Sequence, residues 1–316
     1  MNLFSTPDNP VPDSAESGML RTADGVSLRY AYWRAATRAR GTVCVFPGRT
    51  EKIEKYFETA EDLRGRGFSV AVLDWRGQGG SQRLLRNPMK GHVGAFSDYQ
   101  LDLEAFMREI VLPNCPAPYY ALAHSMGAAI LLESARLDRR WFDRMVLSTP
   151  MLDLAMVRHE RAARRTARVL NAAGLSRVYV PHNGRLRAGE LIFEGNRLTS
   201  DPVRFARNLA ISVQHPVLDV GPPTIGWVKS AFDQMDRLTD PATARVIRQP
   251  LLMVGAGADK VVSTPAIERL GSRLIAGAHI VLPGARHELL QERDEFRQPF
   301  LAAFDAFIPG STAAAA

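Results

Sequence analysis

Short apolar runs alternate with stretches of helical periodicity, and that alternation constrains the fold more than any other feature of the chain. TVCVFPG (42–48), FSVAVLDW (68–75), YYALAH (119–124) and RMVLSTP (144–150) are short, rich in Val and Leu, and bounded by turn residues. Strands of this kind are apolar on both faces, which places them inside a mostly parallel sheet covered by helices on each side. The intervening segments 54–66, 97–112 and 126–137 supply the helices. Upstream, MLRTADGVSLRYAYWR alternates about Asp24-Gly25, a hairpin signal. The pattern resumes late in the chain with PLLMVGA (250–256), a helix from about Pro265, HIVLPGA (279–285) and a last helix near 294–307.

Between those two halves the strand signals vanish for about a hundred residues, too long for a structureless loop in a compact domain. We therefore expect an α/β catalytic core of residues 18–151 plus 249–309, interrupted by a helical cap at 152–248. Residues 1–17, with their Pro, Asp and Ser, and residues 310–316 read as flexible tails. The composition, 46% hydrophobic and 23% charged, is that of a globular protein with a sizeable core, and no apolar run reaches the length of a membrane span. Without a secretory signal, and with only Cys44 and Cys115, a reducing cytoplasmic setting is expected.

The chemistry concentrates at strand ends. In Ala123-His124-Ser125-Met126-Gly127 a strand runs into a serine and a helix leaves it, as in a nucleophile elbow, where close packing demands small residues two before and two after the serine. Gly127 meets the second requirement, and Ala123 stands where G-x-S-x-G has its first glycine. A serine hydroxyl needs a base. Of the seven histidines, His124 is tied into the elbow itself, His159, His182 and His215 fall in the insertion, His92 precedes the serine and His279 begins a strand. His287, in the loop after the last strand, is the base this reading selects. Asp259, in the loop GAGADKVV, supplies the carboxylate that would orient it, with Asp153 as the rival. The order Ser, Asp, His is that of α/β-hydrolase triads. Backbone N–H groups of Arg49 and Met126 are the expected oxyanion donors. HELLQ at 287–291 fails as H-E-x-x-H because residue 291 is Gln, and neither glycine-rich turn completes a nucleotide motif, so we expect no metal and no cofactor.

At this point the chain resembles the lysophospholipase and monoacylglycerol lipase branch of the α/β-hydrolases, its bacterial lysophospholipase L2 group above all. The resemblance runs over roughly residues 18 to 308 and rests on PGRTEKIEKY, LDWRGQGGSQR, GHVGAFSDYQLDL, AHSMG, NRLTSDPVRF, GPPTIGW, GAGADKVVS and PGARHELLQE. It implies the same triad of Ser125, Asp259 and His287, the same two oxyanion donors, and cofactor-free cleavage of a single acyl ester of a lysophospholipid or monoacylglycerol. Pro47, where many relatives have His, is a departure outside the catalytic groups. A short-chain esterase, a serine peptidase, an acyltransferase or a silent lipid- or partner-binding scaffold are the competing readings.

Between Asp153 and Arg248 there are fifteen Lys and Arg against nine Asp and Glu, which accounts for most of the formal net charge of +7. Arg158, Arg161, Arg165 and Arg168 recur at helical spacing. Their stripe is either a face for anionic membrane or phosphate headgroups, or a solvated helix surface. In the first case the protein would sit peripherally at the inner face of the membrane. Trp227, with Met156, Leu170, Leu175 and Val178, either lines an acyl channel or packs the insertion onto the core. The basic excess comes with no nucleic-acid motif, so no nucleic-acid partner is expected.

Overall fold

The computed structural model describes residues 2–35, 39–181 and 192–311. Each apolar run forms a strand. In chain order these are β1 (Ala15–Arg21), β2 (Ser27–Trp33), β3 (Thr42–Phe46), β4 (Ser69–Leu73), β5 (Tyr119–His124), β6 (Arg144–Ser148), β7 (Leu251–Ala256) and β8 (Gly277–Leu282). They make one eight-stranded sheet in the order β1-β2-β4-β3-β5-β6-β7-β8. The hairpin of β1 and β2 and its junction with β4 are antiparallel, and every pairing from β4 to β8 is parallel. This is the α/β-hydrolase architecture.

Alternation along β3 shows why both faces must be covered. Val43 and Val45 point into a cluster with Val70, Val72, Phe57, Phe300 and Phe304, while Cys44 and Phe46 point into the opposite cluster with Trp75, Phe106 and Ile130. The first cluster is roofed by the helices Phe57–Gly65 and Asp294–Phe307, the second by the elbow helix Met126–Arg136 and the stretch from Tyr99 to Asn114. Fully burying one such large apolar side chain contributes roughly 1.5–3 kcal/mol.

Between β6 and β7 the described residues are helical, chiefly Glu160–Leu170, Pro202–Gln214 and Ile225–Thr239. Residues 182–191, including His182, lie outside the described residues. The helix Ile225–Thr239 buries Trp227, Phe232, Met235 and Leu238 in the same cluster as the elbow helix, and Gln234 donates to Glu133 at 3.0 Å. On the other side Arg204 reaches Glu58 at 2.7 Å and Asp294 at 2.8 Å, and Arg207 joins the same Glu58.

The N-terminal segment departs from the expected loose tail. Its last residues already belong to β1, the Trp33 indole donates to Pro12 O at 3.2 Å, and the Asn9 side chain donates to Glu54 O at 2.9 Å. Prolines and short polar residues look like linker composition, but here they give the segment a fixed path over a buried tryptophan. At the other end Ser311 bonds Asp305, and residues 312–316 lie outside the described residues.

Candidate active site

Ser125 sits between β5 and the elbow helix with φ 51° and ψ −110°, a left-handed conformation that a non-glycine residue adopts only under constraint. The constraint is visible in its backbone, since Ser125 N–H donates to Ser148 O and its carbonyl accepts from Ala129 and Met151. A Cβ at position 127 would lie 2.4 Å from Phe46 O and 2.6 Å from Pro47 O, so glycine is required there. The Ala123 side chain, by contrast, is accommodated and buried.

His287 brings Nε2 to 3.1 Å from Ser125 Oγ, and its Nδ1 lies 2.8 Å from Asp259 Oδ2. The second carboxylate oxygen of Asp259 accepts the N–H groups of Val261 and Val262 at 2.7 and 3.0 Å, which fixes the carboxylate in its loop. The His287 carbonyl is held by Thr149 Oγ1 at 2.9 Å. Asp153 is engaged elsewhere: it accepts Leu154 N–H and faces Arg164 at 3.8 Å. Among the described residues no acceptor is found for the backbone N–H groups of Arg49 and Met126.

Behind these groups lies a buried polar network that the sequence alone did not reveal. Glu51 accepts the Gly48 N–H, the Tyr56 hydroxyl at 2.5 Å and the Lys55 ammonium at 2.7 Å. The same ammonium reaches Glu288 at 2.6 Å. Lys55 thus ties the loop after β3 to the loop carrying His287. Burial works to raise the Glu51 pKa, but the Lys55 ammonium, joined in strong acid by protonated His124, outweighs it and holds the carboxyl at about 2. His124 goes the other way: burial drives its pKa down to about 3, so it is a neutral partner 3.1 Å from Thr149 Oγ1. Glu51, His124 and Glu288 are close enough to suggest a metal trio, yet the Lys55 ammonium bridges both carboxylates and supplies the positive charge. The signal available in the sequence was the density of charge in TEKIEK immediately after a buried strand.

Residues 37–294 match the family described as serine aminopeptidase, S33. The chain belongs to that family. Lysophospholipase L2 of Escherichia coli K12 is 35% identical over 292 residues, covering 90% of this chain and 84% of the relative. Probable lysophospholipase L2 of Haemophilus influenzae is 29% identical over 261 residues, covering 83% and 81%. Among solved structures, a monoglyceride lipase of Saccharomyces cerevisiae in complex with a substrate analogue superposes with a TM-score of 0.73 at 19% identity, over 96% of this chain and 99% of the other. As an S33 member with this fold, the protein is a hydrolase.

The remaining site candidates are dispersed. Trp227 is buried, and its indole donates to Tyr99 Oη at 3.1 Å. Arg158 precedes the helix Glu160–Leu170, and Arg158, Arg161 and Arg165 are exposed with no acidic partner among the described residues. Arg168 is exposed as well but pairs with Asp233 and Asp236 on the neighbouring helix Ile225–Thr239. Met156, Leu175 and Val178 are exposed and do not pack the insertion onto the core. No helix among the described residues is long and apolar enough to cross a membrane.

Proposed function

We propose that the protein hydrolyses carboxylic esters of single-chain lipids, lysophospholipids or monoacylglycerols, through an acyl-enzyme on Ser125. The observation that carries the reading is the continuous path from Ser125 Oγ through His287 to Asp259, at 3.1 and 2.8 Å. His287 Nε2 takes the hydroxyl proton as Oγ attacks the ester carbonyl, and Asp259 keeps the proton on Nδ1 and stabilises the imidazolium. The developing oxyanion is met by the N–H groups of Arg49 and Met126, whose freedom from other acceptors supports that role. His287 then protonates the departing alcohol, and in the second half activates water to release the fatty acid. The lipid class rests on the similarity to lysophospholipases and monoglyceride lipases. The insertion 152–248 serves as the cap of this site in our reading. Its exposed Arg158, Arg161 and Arg165, beside exposed Met156 and Val169, form the face that would rest on anionic membrane.

The test is fatty-acid release from lysophosphatidylcholine, a monoacylglycerol and p-nitrophenyl butyrate, each measured against Ser125→Ala. Loss of all turnover in a folded Ser125→Ala protein is expected. Turnover surviving in that variant would overturn the mechanism, and Ser125-dependent cleavage of the short ester alone would overturn the lipid assignment.

A further inference from the structure

The protein neutralises its fully buried arginines, whereas the half-buried Arg49 is left without a counter-charge. Arg29 is paired with Glu54 and Asp74, Arg76 with Asp102 and Asp24, and Arg297 with Asp62. Arg49 is different. Its guanidinium carbon lies 5.0 Å from the Trp227 ring centroid, Nη2 donates to Gly221 O at 2.7 Å, and Nε is buried with no acceptor. Among the described residues no carboxylate pairs with it. Burial draws its pKa down to about 10, so it is still a cation at neutral pH. A half-buried guanidinium with no carboxylate beside it and a covered, unsatisfied Nε is a positive group that an anion would stabilise.

The surroundings favour an anion. Arg49 fills the junction where the segment around Gly91 meets Gly221 and Trp227 of the insertion, and a Cβ on Gly91 would come within 2.7 Å of Nη2. His92, next to Gly91 in the chain, has a lowered pKa chiefly through burial, with Arg177 and Lys90 pushing the same way and Asp98 opposing them. Guanidinium geometry suits two phosphate oxygens at once.

We propose that the Arg49 side chain binds the phosphate of the lipid substrate, so that one residue meets the ester oxygen with its backbone N–H and the headgroup anion with its guanidinium. This rests on the reading of Ser125 as nucleophile toward single-chain lipids. The arginine side chain is comparable in length with the glycerol bridge between the ester and the phosphate of a lysophospholipid. It makes a phosphate-bearing lipid, rather than a neutral monoacylglycerol, the preferred substrate.

The test compares kcat/KM for palmitoyl lysophosphatidylglycerol and monopalmitoylglycerol in wild type, Arg49→Met, Arg49→Lys and Gly91→Ala. The wild type should prefer the phospholipid. Arg49→Met should shrink that preference by roughly 10- to 100-fold, mainly through KM, as expected for losing hydrogen bonds to a charged group. Arg49→Lys should restore part of it, and Gly91→Ala, which displaces the guanidinium, should reduce it. Equal losses on both lipids in Arg49→Met, or an unchanged preference, would overturn the assignment while leaving the lipid hydrolase intact. If the wild type cleaves only p-nitrophenyl butyrate, the lipid reading fails and the headgroup site fails with it. A measurement on the wild type alone adds a second check: sn-glycerol 3-phosphate should inhibit p-nitrophenyl butyrate hydrolysis where glycerol does not. Inorganic phosphate inhibiting as well as glycerol 3-phosphate would mean a free-phosphate site, and absence of inhibition by either would mean no anion site; both results overturn the headgroup assignment.

Discussion

Lys55→Met would remove the one cation between two buried carboxylates while keeping most of the side-chain volume. In the wild type its ammonium is 2.7 Å from Glu51 and 2.6 Å from Glu288, and all three side chains are at least nine-tenths buried. Stripping a buried pair of one partner costs about 3–5 kcal/mol, a large share of a total stability of roughly 5–15 kcal/mol. The pH dependence should identify the cause. In the wild type the folded pKa of Glu51, about 2, lies below the ordinary 4.5. Its stabilisation is therefore complete above pH 4.5 and lost only as pH falls through about 2. Without Lys55, burial dominates and raises the Glu51 pKa above 4.5, so the carboxylate destabilises the fold at neutral pH and is relieved by protonation in mild acid. Across that range His124 stays neutral, its pKa held at about 3 by burial. Urea unfolding of both proteins at pH 7.5 and 5.5 should show a deficit that narrows at the lower pH. Ester turnover should fall as well, because Glu51 holds the Gly48 N–H and so sets the loop that carries the Arg49 N–H. A deficit below about 1 kcal/mol, or one that widens in acid, would refute the argument.

Two further expectations concern other parts of the molecule. Gly127→Ala forces a Cβ against two carbonyl oxygens of the β3 end, at 2.4 and 2.6 Å, where no side chain can yield. The elbow must shift, with an expected cost of about 1–3 kcal/mol and a loss of turnover on the order of 100-fold, read by thermal melting and fluorophosphonate labelling of Ser125; wild-type labelling rates would contradict it. Replacing Arg158, Arg161 and Arg165 together with Gln should weaken pelleting with anionic vesicles by about 1 kcal/mol per residue. Undiminished binding, or equal binding of the wild type to uncharged vesicles, would discard the membrane face.

The sheet was legible because its strands are apolar on both faces, and that demand writes itself into residue type: Thr42–Phe46 and Leu251–Ala256 can hardly be anything else. The final helix spans Asp294–Phe307, where its periodicity suggested, with two acidic residues in its first turn. Ser125, Asp259 and His287 could be picked out because each follows a strand, and parallel topology gathers strand ends at one edge. What stayed hidden was charge placed inside. Glu54 and Arg29 are fully buried against each other, yet in IEKY and SLRYAYW they read as ordinary surface positions. Periodicity reports which positions are apolar, not which charges meet across distant segments. The N-terminal residues misled for the same reason, since their packing depends on Trp33 and Glu54, which no local pattern links to them.

The adjacency of β6 and β7 governs when the protein becomes chemically competent. Met145 pairs with Leu251, and Ser148 with Val254, across an excursion of roughly a hundred residues, so this contact closes a long loop and is entropically late among the sheet pairings. Asp259 and His287 both lie beyond it. In the mechanism proposed above, a nascent chain that has emerged only through β6 carries Ser125 without the base His287. If the proposed mechanism holds, ester cleavage begins only after synthesis has passed His287 and this long closure is made, so the first turnover of each molecule would report that β6 and β7 are paired.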